Sequence, residues 1–180
     1  ETGEVVDNCQ KRPQRLFEEK KLSVGECVVE LSKAVLALLS QGVRHIIVTV
    51  SPIRYQKYGF HGSQLSKATL LLAADILCQR FPEVVRYFPA YEILCDELRD
   101  YRFYKEDMLH PSELAVEYIW QKFQMVYFGK TAEDFLEEWK PIREALGHRP
   151  FNPESEEYKK FLANAQEKER KFMEKYQLGK

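Results

Sequence analysis

From Ser23 onward the chain alternates between helical and extended hydrophobic patterning. Ser23-Val24-Gly25-Glu26 reads as a capping box, the serine hydroxyl taking the Glu26 amide while the glutamate reaches back. Behind it, Val28, Leu31, Val35 and Leu38 recur at helical spacing and predict a helix to about Ser40, stopped by Gly42. His45 to Val50 is a β-branched run of strand length, and its unbroken apolar character suits a parallel strand covered on both faces. The run ends at Ser51-Pro52. After a polar stretch with Gly59 and Gly62, a helix is expected from about Ser63 to Arg80, ended by Pro82. A second strand is expected at Tyr91 to Cys95, followed by a charged, aromatic loop over Asp96 to Glu106. Pro111 is expected in the first turn of a helix that runs through Leu114, Ile119 and Phe123 to about Phe128.

Helix, strand, helix, strand, helix is the rhythm of a parallel α/β sheet. Two strands are too few to complete one, so either further strands lie upstream or the α/β reading fails. Residues 1–22 are polar and extended, with Pro13 barring a helix. From Lys130 the composition changes: Thr131 with Asp134 is expected to cap a helix broken by Pro141, and Gly147 and Pro150 form a linker. Pro153 is then expected to start a charged helix ending near Tyr176, with Tyr158, Phe161, Leu162, Ala165, Phe172 and Met173 as its sparse apolar positions. The expected organisation is a domain over 1–128 and a helical extension over 129–180, packed on the domain or on a partner and a candidate for self-association.

Composition narrows the function classes. The 180 residues are 44% hydrophobic and 31% charged, an ordinary globular balance. A net charge of −1 gives no field that would recruit nucleic acid. No apolar run, the stretch Ala68 to Ala74 included, approaches the roughly 18–20 residues needed to span a bilayer. The chain begins with Glu1 rather than Met, so an upstream segment is expected to be missing. Cys9, Cys27, Cys78 and Cys95 form no CxxC pair and fit buried free thiols, which favours a reducing, cytoplasmic setting. Without a P-loop, GxGxxG or GxSxG, no cofactor is expected.

Asp107-Met108-Leu109-His110-Pro111-Ser112 carries the clearest chemistry. A carboxylate three residues before a histidine can hold its Nδ1–H and leave Nε2 to take a proton from a serine. As a bare pattern D-x-x-H is cheap, and taken alone it is better explained by a capping Asp beside a surface His. His45 opens a strand and His148 lies in the linker. His61 is expected in the loop after the first strand, near Arg54, Tyr55, Lys57 and Tyr58, where open α/β sheets bind ligands. Three histidines without helical or hairpin proximity make no metal site. Ser51, at the end of a strand, is a nucleophile candidate, although Pro52 fits a turn better.

Two ordered blocks resemble the GSCFA family. Val48-Thr49-Val50-Ser51-Pro52-Ile53-Arg54-Tyr55, with Gly59-Phe60-His61 and Gln64-Leu65-Ser66-Lys67-Ala68, is similar to its central signature. Tyr87 to Glu92, Asp96 to Tyr104 and Asp107 to Ser112 are similar to its C-terminal one. The likeness covers roughly residues 2–128. It implies an SGNH/GDSL-hydrolase relationship and a flavodoxin-like three-layer α/β/α sandwich with a parallel sheet, incomplete here at the N-terminus and followed by the helical appendage. It implies Asp107 as the orienting acid and His110 as the general base. The nucleophile would belong to the Gly-Ser of the family's naming motif, which this chain lacks, so the chain alone should be inactive. Asn8 stands near where a superfamily oxyanion-hole asparagine falls, beside Gln10, a position where the family commonly has histidine. The implied activity is hydrolysis of a small or carbohydrate O-acyl ester. The alternative is a non-catalytic binding or scaffold protein, with Arg54, His61 and Lys67 gripping the ligand.

Overall fold

The computed structural model describes residue 6 and residues 12–178. Within it two compact units separate, Glu1–Ile119 and Trp120–Lys180.

The first unit begins with α1, Val24–Ser40, and the capping box is present. The Glu26 amide reaches Ser23 Oγ at 3.3 Å, and the Ser23 amide donates to Glu26 Oε2 at 2.9 Å. β1 is short, Ile46–Val48. α2, Gly59–Arg80, forms the crossover that a parallel pairing requires and delivers the chain to β2, Val85–Tyr87. The strands pair in parallel, with Ile46 opposite Val85 and Val48 opposite Tyr87. Among the described residues this two-stranded sheet is the extended framework of a mostly helical chain. Val35 of α1, Leu77 of α2 and Val85 of β2 are buried together, and Leu39, Ile46, Val48 and Phe81 pack around them. Ile47, on the opposite sheet face, is 39% exposed, so the strand is covered on one face rather than two.

Several elements lie elsewhere than expected. Tyr91–Cys95 is not a strand: Ala90–Glu92 (α3) runs into a π-helix over Ile93–Leu98, and the second strand lies six residues earlier. A short apolar run does not distinguish the two conformations by periodicity, and here Ile93 and Leu94 are buried as consecutive helical positions. α2 begins at Gly59 instead of Ser63, so His61 is helical and not in a loop. Gly59, at φ +67°, turns the chain into this helix, a conformation glycine adopts without a Cβ clash. Pro111 lies before its helix. It is bridged to Tyr104, while α4, Glu113–Tyr127, starts behind Ser112, whose Oγ accepts the Ala115 amide at 3.3 Å.

In the second unit, α5 (Lys130–Leu146) and α6 (Glu156–Lys175) form an antiparallel hairpin. Phe135 meets Phe172 at 4.8 Å and Tyr176 at 4.7 Å between ring centres, while Trp139 meets Phe172 at 5.0 Å. Lys175 closes the pair on Glu138 at 2.6 Å. Pro141 lies within α5 and does not end it, since the neighbouring Ile142 is buried against α6 residues. Gly129, not Thr131, is the N-cap of α5, and Asp134 pairs with Lys130 at 2.6 Å. α6 starts at Ser155–Glu156 rather than Pro153, with Ser155 Oγ accepting the Tyr158 amide at 3.2 Å.

Leu77 is fully buried where α1, α2 and β2 meet. Leu77→Ala should cost about 2–5 kcal/mol of stability by urea denaturation, whereas Ile47→Thr on the half-open sheet face should cost less than about 1 kcal/mol.

Candidate functional site

Residues 103–112 fold back on themselves. The Ser112 amide donates to the Phe103 carbonyl and the Lys105 amide to the His110 carbonyl, both at 2.8 Å. Pro111, which has no N–H, sits between these rungs, where none is needed. At the tip, Met108 donates back to the Lys105 carbonyl at 2.9 Å and takes a left-handed φ of +59°. That turn points successive amides at one side chain. Asp107 Oδ1 accepts from Leu109 at 2.8 Å and from His110 at 3.0 Å. Its other oxygen, Oδ2, lies 2.6 Å from His110 Nδ1.

These bonds fix the protonation pattern. The His110 amide first, then the Leu109 amide and the imidazole, hold the Asp107 carboxyl down from its usual 3.8 to about 2. At neutral pH it is ionised and can only accept, so Nδ1 presents its proton to it; in the uncharged form of the ring the free lone pair is then on Nε2. The His110 side chain is 53% exposed, which leaves that nitrogen reachable. Among the described residues, no serine is bonded to it.

The segment after β1 lies against this turn. The Arg54 amide donates to the Leu109 carbonyl at 3.0 Å, and Arg54 Nη1 reaches the Met108 carbonyl at 3.3 Å. The guanidinium lies 4.0 Å from the Tyr104 ring centre and 5.8 Å from that of Tyr101. α2 anchors the same segment from the other side. Lys67 Nζ donates to the Ser51 carbonyl at 2.6 Å, and Ser63 Oγ accepts the Tyr55 amide at 3.1 Å. Lys67 is 8% exposed, and burial lowers its pKa, with the Cys95 thiol opposing.

Of the residues singled out from sequence, the structure therefore joins Asp107, His110 and Arg54. Lys67 is turned inward on Ser51, and His61 is exposed in the first turn of α2. Ser51 shapes a turn, its Oγ accepting the Ile53 amide at 3.4 Å. Asn8 lies outside the described residues. Sequence reasoning missed the layer beside Arg54. There the half-buried Cys95 interacts with the Tyr91 and Tyr104 hydroxyls, and Tyr91 donates to Gln64 at 2.7 Å. Tyr91 and Cys95 are neighbours only because the segment is helical; as the expected strand they would lie too far apart to touch. Among the described residues, no three His, Cys, Asp or Glu side chains converge as a metal cage, and no helix is long and apolar enough to cross a membrane.

Fold and site together define a small parallel βαβ unit with a carboxylate-held imidazole on an adjoining turn, followed by a helical hairpin. Residues 1–123 match the GSCFA family, and residues 139–179 match the C-terminal domain of GSCFA domain proteins. The chain belongs to the GSCFA family. No curated protein and no solved structure matches it.

The depressed Asp107 carboxyl gives the turn a defined acid limit. Its folded pKa lies below the unfolded value, so its stabilisation is present above about pH 4 and lost as pH falls toward about 2. Amide NMR should show the Leu109 and His110 hydrogen bonds at full strength at pH 5 to 7 and weakening together across that lower window, as the charged acceptor becomes a neutral one. Asp107→Asn keeps an oxygen for the backbone amides and should retain the turn at neutral pH, whereas Asp107→Ala should lose it.

Proposed function

We propose that the full-length protein is a serine ester hydrolase of the SGNH/GDSL type. In this reading Asp107 orients the ring and His110 is the general base. The substrate class is an O-acyl ester of a carbohydrate or similar small molecule. The nucleophilic serine and the remaining strands of a three-layer sandwich would come from polypeptide outside this chain. The observation that carries the reading is the 2.6 Å contact between Asp107 Oδ2 and His110 Nδ1, made by an ionised carboxylate to a half-exposed imidazole whose Nε2 it does not use. An incoming serine hydroxyl could pass its proton to Nε2 as its oxygen attacks an acyl carbon. The resulting imidazolium would face the Asp107 charge.

Half-exposed apolar side chains support the larger sheet. Ile47 on β1, with Leu72 and Ile76 on α2 and Val29 and Leu36 on α1, presents surface suited to a further layer. The binding-scaffold reading draws less support. Arg54 and Lys67, two of the three groups it would use, already hold main-chain carbonyls within the fold.

An ester-hydrolysis assay on the full-length protein tests the proposal. His110→Ala should lower kcat/KM by about a hundredfold or more, the usual scale of general-base loss. Asp107→Asn should lower it as well, because the amide would offer Nδ1 a donor and favour the wrong tautomer. Equal rates for wild type and His110→Ala would remove His110 from the mechanism.

A further inference from the structure

We infer that Arg54 is a positioning residue for the Asp107–His110 pair, clamping the turn that carries it rather than contacting substrate. The inference rests on the hydrolase reading for its importance, not for its geometry.

Met108 has a left-handed backbone, which an unbranched L-residue adopts at a cost and keeps only where its surroundings enforce it. Two enforcing bonds come from Arg54. Its main-chain N–H holds the Leu109 carbonyl, and its guanidinium holds the carbonyl of Met108 itself. These carbonyls lie in the same tip whose Leu109 and His110 amides converge on Asp107 Oδ1. Fixing the carbonyls from one side thus fixes the direction of the amides on the other, and with them the carboxylate that steers the ring.

The guanidinium is itself constrained. It lies over Tyr104, 4.0 Å from the ring centre and within cation–π range, and it also interacts with the Tyr104 hydroxyl. The main chain of Tyr104 is bridged to that of Pro111, next to His110, so the ring under the guanidinium belongs to the residue that pairs across the turn. At its base, the segment bearing Arg54 is anchored to α2 through Lys67 and Ser63. A guanidinium suits this task because it is planar, permanently charged and forked. A lysine could reach one carbonyl but could not stack in the same way.

The test uses nitrogen NMR of the His110 ring in alkaline solution, where the imidazole is neutral, together with amide exchange at Leu109 and His110. Wild type should show the Nδ1–H tautomer. Arg54→Ala should shift the ring toward the Nε2–H form that free histidine prefers and speed exchange at both amides about five- to tenfold, the scale of one lost hydrogen bond. Exchange at Leu77 and the thermal midpoint should stay near wild type. Arg54→Lys, which keeps the charge and stem, should fold in every case and recover part of the tautomer preference. An unchanged tautomer and unchanged exchange in both variants would overturn the inference. So would equal acceleration at Leu77, which would make Arg54 a general structural residue. Because neither readout needs turnover, loss of the hydrolase reading and loss of the clamp would appear separately.

Discussion

The Asp107 carboxylate accepts two backbone amides and one imidazole nitrogen, and the chemistry of the site depends on those bonds being made together. The amide bonds lower the carboxyl pKa, so the group is anionic when the ring arrives and can only accept. The ring bond then selects one tautomer. A turn-capping aspartate and a histidine-steering aspartate are often treated as competing explanations of a D-x-x-H sequence. Here one side chain does both, one oxygen serving the backbone and the other the ring. An asparagine or serine could satisfy the backbone oxygen's role, but only a carboxylate supplies the second acceptor beside an anionic partner for an imidazolium.

This local arrangement is tied to the core by a short chain of contacts. Leu77 locks α2 against α1 and β2 by complete burial. α2 carries Ser63 and Lys67, which hold the amide of Tyr55 and the carbonyl of Ser51. Between those two anchors lies Arg54, whose bonds reach the Met108–Leu109 tip. Two cations expected to grip a ligand thus donate to main-chain carbonyls, and the Lys67 bond is made by a buried ammonium, where a charge-assisted hydrogen bond is stronger than in water. The helical hairpin of Trp120–Lys180 has its own core around Ile142, Ala165 and Phe172.

Legibility in the sequence followed the range of the interaction. The capping box at Ser23 and Glu26 was readable because both partners lie within one turn. β1 and α2 were readable from hydrophobic runs bounded by Pro and Gly. The second strand was misplaced because Val85 and Arg86 look no more extended than Tyr91 to Cys95; pairing with Ile46 and Ile47 selects the former. Pro141 is expected to break its helix because its missing N–H costs a helical bond, yet α5 continues through it, with Ile142 beside it buried.

By itself the sequence determined what a few neighbouring residues can settle: the Asp107–His110 spacing, the Ser23–Glu26 capping box and the change of composition near residue 130. Tertiary structure alone decided which strand pairs with β1, that Lys67 turns inward, and that Arg54 reaches a carbonyl 54 residues away. The division is physical. A cap or a D-x-x-H turn closes a loop of three residues, and its geometry follows from local dihedral preferences. A contact between distant segments exists only once the core between them has formed, and no local pattern encodes it.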